Sequence, residues 1–111
     1  MNKTLIFMRA TSNNSIEAQM AVIQSYIDAH EMTIEKSYTD ITKTGENIDR
    51  PGYCQMINDI KEGKVYSKCI IVASSDRLHR NIVDMIADIE WFTDNGIKFI
   101  SVADGINTDN N

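Results

Sequence analysis

The sequence predicts an α/β fold: a single three-layer domain with a mostly parallel sheet of four to five strands, flanked by helices. Short apolar runs around Leu5, Ile70 and Phe99 alternate with stretches of helical periodicity, the order expected of βα repeats. The run Lys68-Cys69-Ile70-Ile71-Val72-Ala73 is apolar on both faces, as in the central strand of a parallel sheet. The chain has 111 residues, 42% hydrophobic and 24% charged, which is the size and composition of one globular domain. Such a length buries roughly two-thirds of its unfolded surface, enough for a core without staples.

Thr4-Leu5-Ile6-Phe7-Met8 is short, apolar and bounded by polar residues, and reads as a buried strand. Arg9 to Asn14 is a polar loop. Ser15 is the expected cap of the next helix, with Glu17 in its first turn. Ile16, Met20, Ile23 and Ile27 then form one apolar face over about residues 15–30. Thr33 to Thr39, with Ile34 and Tyr38, is a less apolar strand suited to an edge. Asp40 to Asp49 lacks periodicity and reads as an exposed loop. Pro51 suits the first turn of a helix carrying Tyr53, Met56, Ile57 and Ile60, which Gly63 ends. After the central strand, Ser74 to Arg80 is polar. Ile82, Ile86 and Ile89, with Val83, Met85 and Phe92, mark a helix to about Asn95. Ile97 to Val102 is a last strand, and the tail from Ala103 is expected to form no element.

No run of about eighteen apolar residues is present, so no membrane span is available. The opening apolar stretch ends at Arg9, too short for a signal peptide. Cys54 and Cys69 read as buried free thiols of a cytoplasmic protein. The net charge of −5 argues, taken alone, against a nucleic-acid partner. The positive charge is unevenly distributed, however. Of 11 basic residues only Arg9, Arg50, Arg77 and Arg80 are arginines, and arginine is not interchangeable with lysine.

Ligands of open parallel α/β sheets bind outside the carboxyl ends of the strands. Arg9 follows the first strand, Arg50 ends the loop after the second, and Arg77 and Arg80 follow the central one. Guanidinium groups gathered there call for an anion, and phosphate matches them bidentately. Thr11 and Ser12 stand beside Arg9, placing a hydroxyl nucleophile next to a phosphoryl group. The competing interpretation is four solvated surface charges. A small phosphate-ester hydrolase on a flavodoxin-like sheet would need the same cluster.

Several segments resemble the catalytic domain of the serine recombinases, the resolvase/invertase family. Phe7-Met8-Arg9-Ala10-Thr11-Ser12 is similar to its opening strand and Arg-x-Ser-Thr motif, and Ser15 to Gln19 to the start of its first helix. Asp40 through Thr44-Gly45 and Asp49-Arg50-Pro51-Gly52 resemble its Asp…Ser-Gly…Arg-Pro stretch. Asp76-Arg77-Leu78-His79-Arg80-Asn81 resembles Asp-Arg-Leu-x-Arg-Asn, the most specific of the set. Phe99 to Val102 and Asp104-Gly105-Ile106 close the match.

The resemblance implies a resolvase-like fold and site-specific DNA recombination through a 5′-phosphoseryl intermediate, with no energy input, cofactor or metal. It implies DNA as partner of the full-length protein, a homodimer, and a tetramer during synapsis. Its catalytic set maps onto Arg9, Thr11, Ser12, Gln19, Arg50, Asp76, Arg77 and Arg80, with Thr44, Gly45 and Asn81 at the DNA. Asp76 is expected to orient an arginine or to help protonate the leaving oxygen.

Two departures stand out. The Thr11-Ser12 pair is swapped relative to the family's order, and Gln19 follows Arg9 by ten residues instead of eleven. Either hydroxyl can then be the nucleophile, Ser12 being the less crowded. The alternative is a degenerate domain acting in dimerisation or DNA-site regulation. Residues 1–103 are expected to form the catalytic domain. The polar tail 104–111 would lead into a dimerisation helix and a DNA-binding domain, making this chain a fragment of a longer one.

Overall fold

A computed structural model describes residues 2–41, 50–77 and 82–108. The elements run β1 (Asn2–Ala10), α1 (Asn13–Ala29), β2 (Met32–Ile41), α2 (Pro51–Lys61), β3 (Cys69–Val72), a short 3-10 turn (Ser75–Arg77), α3 (Ile82–Asp94), β4 (Lys98–Ser101) and β5 (Ile106–Asn107). The sheet order is β2-β1-β3-β4-β5. The first four strands are parallel and β5 is antiparallel to β4. The α/β fold is therefore as the sequence predicts, with β3 in the middle and β2 at an edge.

Alternation along the strands divides the core into two layers. Leu5, Phe7, Ile70, Val72 and Phe99 pack with Tyr53 and Met56 of α2 and Phe92 of α3. Ile6, Met8, Ile71, Ala73 and Ile100 pack with Ile23 and Ile27 of α1. One helix thus covers one face and two cover the other. Among the described residues, no helix is long and apolar enough to cross a membrane.

Several details differ from the sequence expectations. The tail does form an element: β5 pairs with β4, and the Thr108 hydroxyl accepts from the Phe99 N–H at 3.0 Å. The face that α3 buries carries Phe92, with Met85 and Ile89 half-buried. Ile82, Val83 and Ile86 are 65%, 69% and 49% exposed. Cys69 is buried, but Cys54 is exposed, on the outer side of α2.

A polar cluster ties the edge strand to α2. Asp59 is buried and accepts from Lys36 Nζ at 2.8 Å, Tyr38 Oη at 2.6 Å and Gln55 Nε2 at 2.7 Å. The hydrogen bonds from Lys36 and then Tyr38 hold its pKa down to about 2. An unfolded aspartate titrates near 3.9 (about 4). The unfolded state binds the proton more readily, so the cluster's contribution is complete above about pH 4 and is lost as pH falls toward about 2. Asp59→Asn is expected to flatten the acid limb of urea-unfolding stability measured between about pH 2 and 5. An acid limb unchanged by the substitution would disprove this assignment.

Candidate active site

The sheet order reverses between β1 and β3, and at such a switch point a crevice opens at the carboxyl ends of the strands. Arg9 stands at the end of β1 and Arg77 closes the turn after β3. They interlock across the crevice. The Arg9 guanidinium donates to the backbone carbonyl of Asp76, and Arg77 Nη1 donates to the carbonyl of Arg9 at 3.3 Å. Gln19 Nε2 donates to that same carbonyl at 2.9 Å and to Ser15 Oγ at 3.3 Å. Gln19 is only 5% exposed, so it braces the floor of the crevice and is not a helix-surface residue.

Arg77 Nε and Gln19 Oε1 are buried and have no hydrogen-bond partner among the described residues. A buried polar atom in that state costs about 1–3 kcal/mol. Arg77 Nε is a donor of the kind a phosphate oxygen satisfies.

The hydroxyls follow Arg9 in the chain. Thr11 and Ser12 are exposed in the bend between β1 and α1. Ser12, not Ser15, caps α1. The helix starts at Asn13, and Ser12 Oγ accepts from the Ser15 N–H at 3.3 Å. Glu17 consequently lies beyond the first turn, which contains no acidic residue. The exposed N–H groups and macrodipole of a 17-residue helix favour negative charge at this end.

Arg50 reaches the rim by another route. It precedes α2 in the left-handed conformation, φ 50 and ψ 59, without a side-chain cap of its own. That conformation costs a non-glycine residue on the order of 1 kcal/mol. Asp40 compensates from β2: its Oδ1 accepts from the Gly52 N–H at 2.6 Å and its Oδ2 from the Tyr53 N–H at 3.0 Å. Position 52 must be glycine for this approach, since a Cβ there would lie 2.7 Å from the Thr39 carbonyl oxygen. The Arg50 guanidinium carbon lies 4.0 Å from the Tyr53 ring centroid, and the Tyr53 hydroxyl donates to Asp88 Oδ2 on α3. Burial, then the bond to Asp88, pushes the Tyr53 phenol above its usual range.

Asp40 is 3% exposed and lies within β2, which runs to Ile41, so it is not part of an exposed loop; residues 42–49 lie outside the described residues. Asp40→Ala would leave two helix N–H groups without this acceptor and is expected to cost about 1–3 kcal/mol in urea unfolding. A variant as stable as the parent would refute the cap.

On the other side of the crevice, Asp104 Oδ2 accepts from Ser101 Oγ at 2.6 Å and from the Ser75 N–H at 2.7 Å. These bonds hold its carboxyl below the usual range and fix the turn that carries Arg77. Asp76 is exposed. Its carboxylate accepts from Ser74 Oγ, and it is the Asp76 backbone that receives Arg9. Thr44, Gly45, Arg80 and Asn81 lie outside the described residues.

The family model described as the resolvase N-terminal domain matches residues 8–111, from just before Arg9 onward. The chain belongs to the resolvase family. A resolvase/recombinase of Pseudomonas putida is 29% identical over 100 residues, which cover 90% of this chain and 50% of that protein. The resolvase domain thus spans about half the length of that curated relative. The N-terminal catalytic domain of TP901-1 integrase superposes with a TM-score of 0.84 at 30% identity, covering 97% of this chain and 83% of that one. A resolvase family site-specific recombinase from Streptococcus pneumoniae gives 0.88 at 26% identity, covering 100% and 78%.

Asp40, Tyr53 and Asp104 support the site of this resolvase domain without standing among the catalytic residues that its sequence singles out. Asp40 had one signal: a carboxylate ending a strand, upstream of Pro51-Gly52, is placed to cap the helix that they open.

Proposed function

We propose that the resolvase domain cleaves and rejoins DNA at specific sites by transesterification through a 5′-phosphoseryl intermediate. The observation that carries this reading is the interlocked Arg9–Arg77 pair at the β1/β3 crevice, next to the Ser12-capped N-terminus of α1. Arg9 and Arg77, joined by Arg50 and Arg80, take the scissile phosphate and stabilise the charge that builds on it during attack. Ser12 Oγ attacks phosphorus, forming the Ser12–phosphate bond as the bond to the 3′ oxygen breaks. The serine gives up its proton and the departing oxygen gains one, with Asp76 at the rim as its carrier. The reverse attack by a 3′-hydroxyl reseals the strand. One phosphodiester replaces another, so no energy source is consumed. Gln19 braces the Arg9 carbonyl, and Thr44, Gly45 and Asn81 contact the DNA alongside. DNA is the partner, engaged by a dimer and, in synapsis, a tetramer.

Net charge −5 does not oppose this reading, because the phosphate-facing charge is concentrated at the crevice. The test is a supercoiled substrate with paired cognate sites, incubated with the native polypeptide carrying this domain and quenched in denaturant. Protein covalently attached to DNA 5′ ends is the expected result. Absence of any such adduct, with the protein folded and bound to the sites, would overturn the proposal.

A further inference from the structure

The Tyr53 ring is fixed at several points. It is 8% exposed and meets Phe7 edge-on at 5.3 Å. Its N–H donates to Asp40 at 3.0 Å, and its hydroxyl donates to Asp88. Arg50 covers the ring at 4.0 Å from its centroid and lies 5.8 Å from the Phe7 ring. Phe7 is two residues before Arg9 on β1, so this stack adjoins the arginine crevice on the same face of the sheet.

Seating an arginine on a ring suits a phosphate-binding role. A ring face attracts the guanidinium through its plane and adds no charge. Asp88 binds the phenol oxygen, at the far end of the ring from its attachment to the backbone. It fixes the ring's rotation and, by polarising the hydroxyl, enriches the ring face that Arg50 covers. A leucine at position 53 would fill the same core space without either effect.

We propose that Tyr53 and Asp88 are positioning residues for Arg50: the ring seats the guanidinium at the rim, and Asp88 locks the ring through its hydroxyl. This rests on the reading of Arg50 as a phosphate-binding group.

Two measurements test it separately. In the 15N-labelled chain, the Arg50 Nε–Hε signal should be shifted upfield by the Tyr53 ring. The shift should vanish in Tyr53→Leu, shrink alike in Tyr53→Phe and Asp88→Ala, which remove the same bond, and be restored in Asp88→Asn, which keeps an acceptor. In the native polypeptide carrying the domain, Asp88→Ala should lower the DNA-cleavage kcat about tenfold with KM unchanged. Asp88→Asn should recover most of that loss. An Arg50 signal indifferent to Tyr53→Leu and Asp88→Ala, or wild-type cleavage by Asp88→Ala, would overturn the proposal. If the parent protein forms no DNA adduct, the cleavage reading fails, while the Arg50 signal still decides whether the seat exists. Asp88 is only half-buried on α3, so its variants keep the test open should Tyr53→Leu fail to fold.

Discussion

Ser12→Ala is expected to abolish covalent attachment of the protein to DNA 5′ ends, with a loss on the order of 10⁴-fold or more in strand cleavage. Binding to the site should be unchanged, because alanine removes the oxygen proposed to attack and leaves the arginines in place. The cost to the fold is separable. Ser12 also caps α1, so its loss should lower stability by roughly 0.5–2 kcal/mol, which urea unfolding measures independently. Ser12→Gly, a milder loss at a cap, should be equally inactive and closer to the parent in stability. Thr11→Ala is the matched control. It sits in the same bend but outside the cap, and is expected to retain cleavage. If adducts disappear in Thr11→Ala and survive in Ser12→Ala, the nucleophile is Thr11.

The second large effect is expected at Arg77. Arg77→Ala should reduce both cleavage and resealing by about 10²–10³-fold, the usual cost of removing a preorganised donor to a developing oxyanion. Both directions should suffer equally, since they share one transition state. Arg77→Lys should rescue little. Lysine supplies the charge, but it cannot reach the Arg9 carbonyl and a phosphate oxygen together through one planar fork. Single-turnover cleavage of a nicked substrate, and resealing from a preformed adduct, read the two halves. Recovery to within a few-fold in the lysine variant would mean that Arg77 acts only as a point charge.

Much of this architecture was legible from residue order. The continuous apolar run at Ile70 marked the centre of the sheet, and the strand–helix alternation required the arginines after β1 and β3 to share a rim. What escaped depends on contacts distant in sequence. Asp40 reads as loop because Thr, Lys, Gly and Asn follow it, yet pairing with β1 carries β2 through Ile41. Ser12 and Ser15 are chemically equal as caps, and only the bend after Ala10 selects the first. β5 is two residues long, too short for any period to show, and exists because β4 offers it an edge. On α3, Ile82 and Ile86 matched a helical stripe, but packing against α2 and β4 turned Met85, Ile89 and Phe92 inward instead.

The reciprocal bonds between Arg9 and the Asp76–Arg77 turn join residues 67 and 68 positions apart. Closing a loop of that length, through a parallel β1–β3 pairing, is among the slower events available to a chain of this size. Ser12 and α1 are local in sequence, while the guanidinium pair exists only once β3 has paired with β1. On the mechanism proposed above, a partly folded chain would carry Ser12 without the groups proposed to activate a phosphate, so completion of folding would gate strand cleavage.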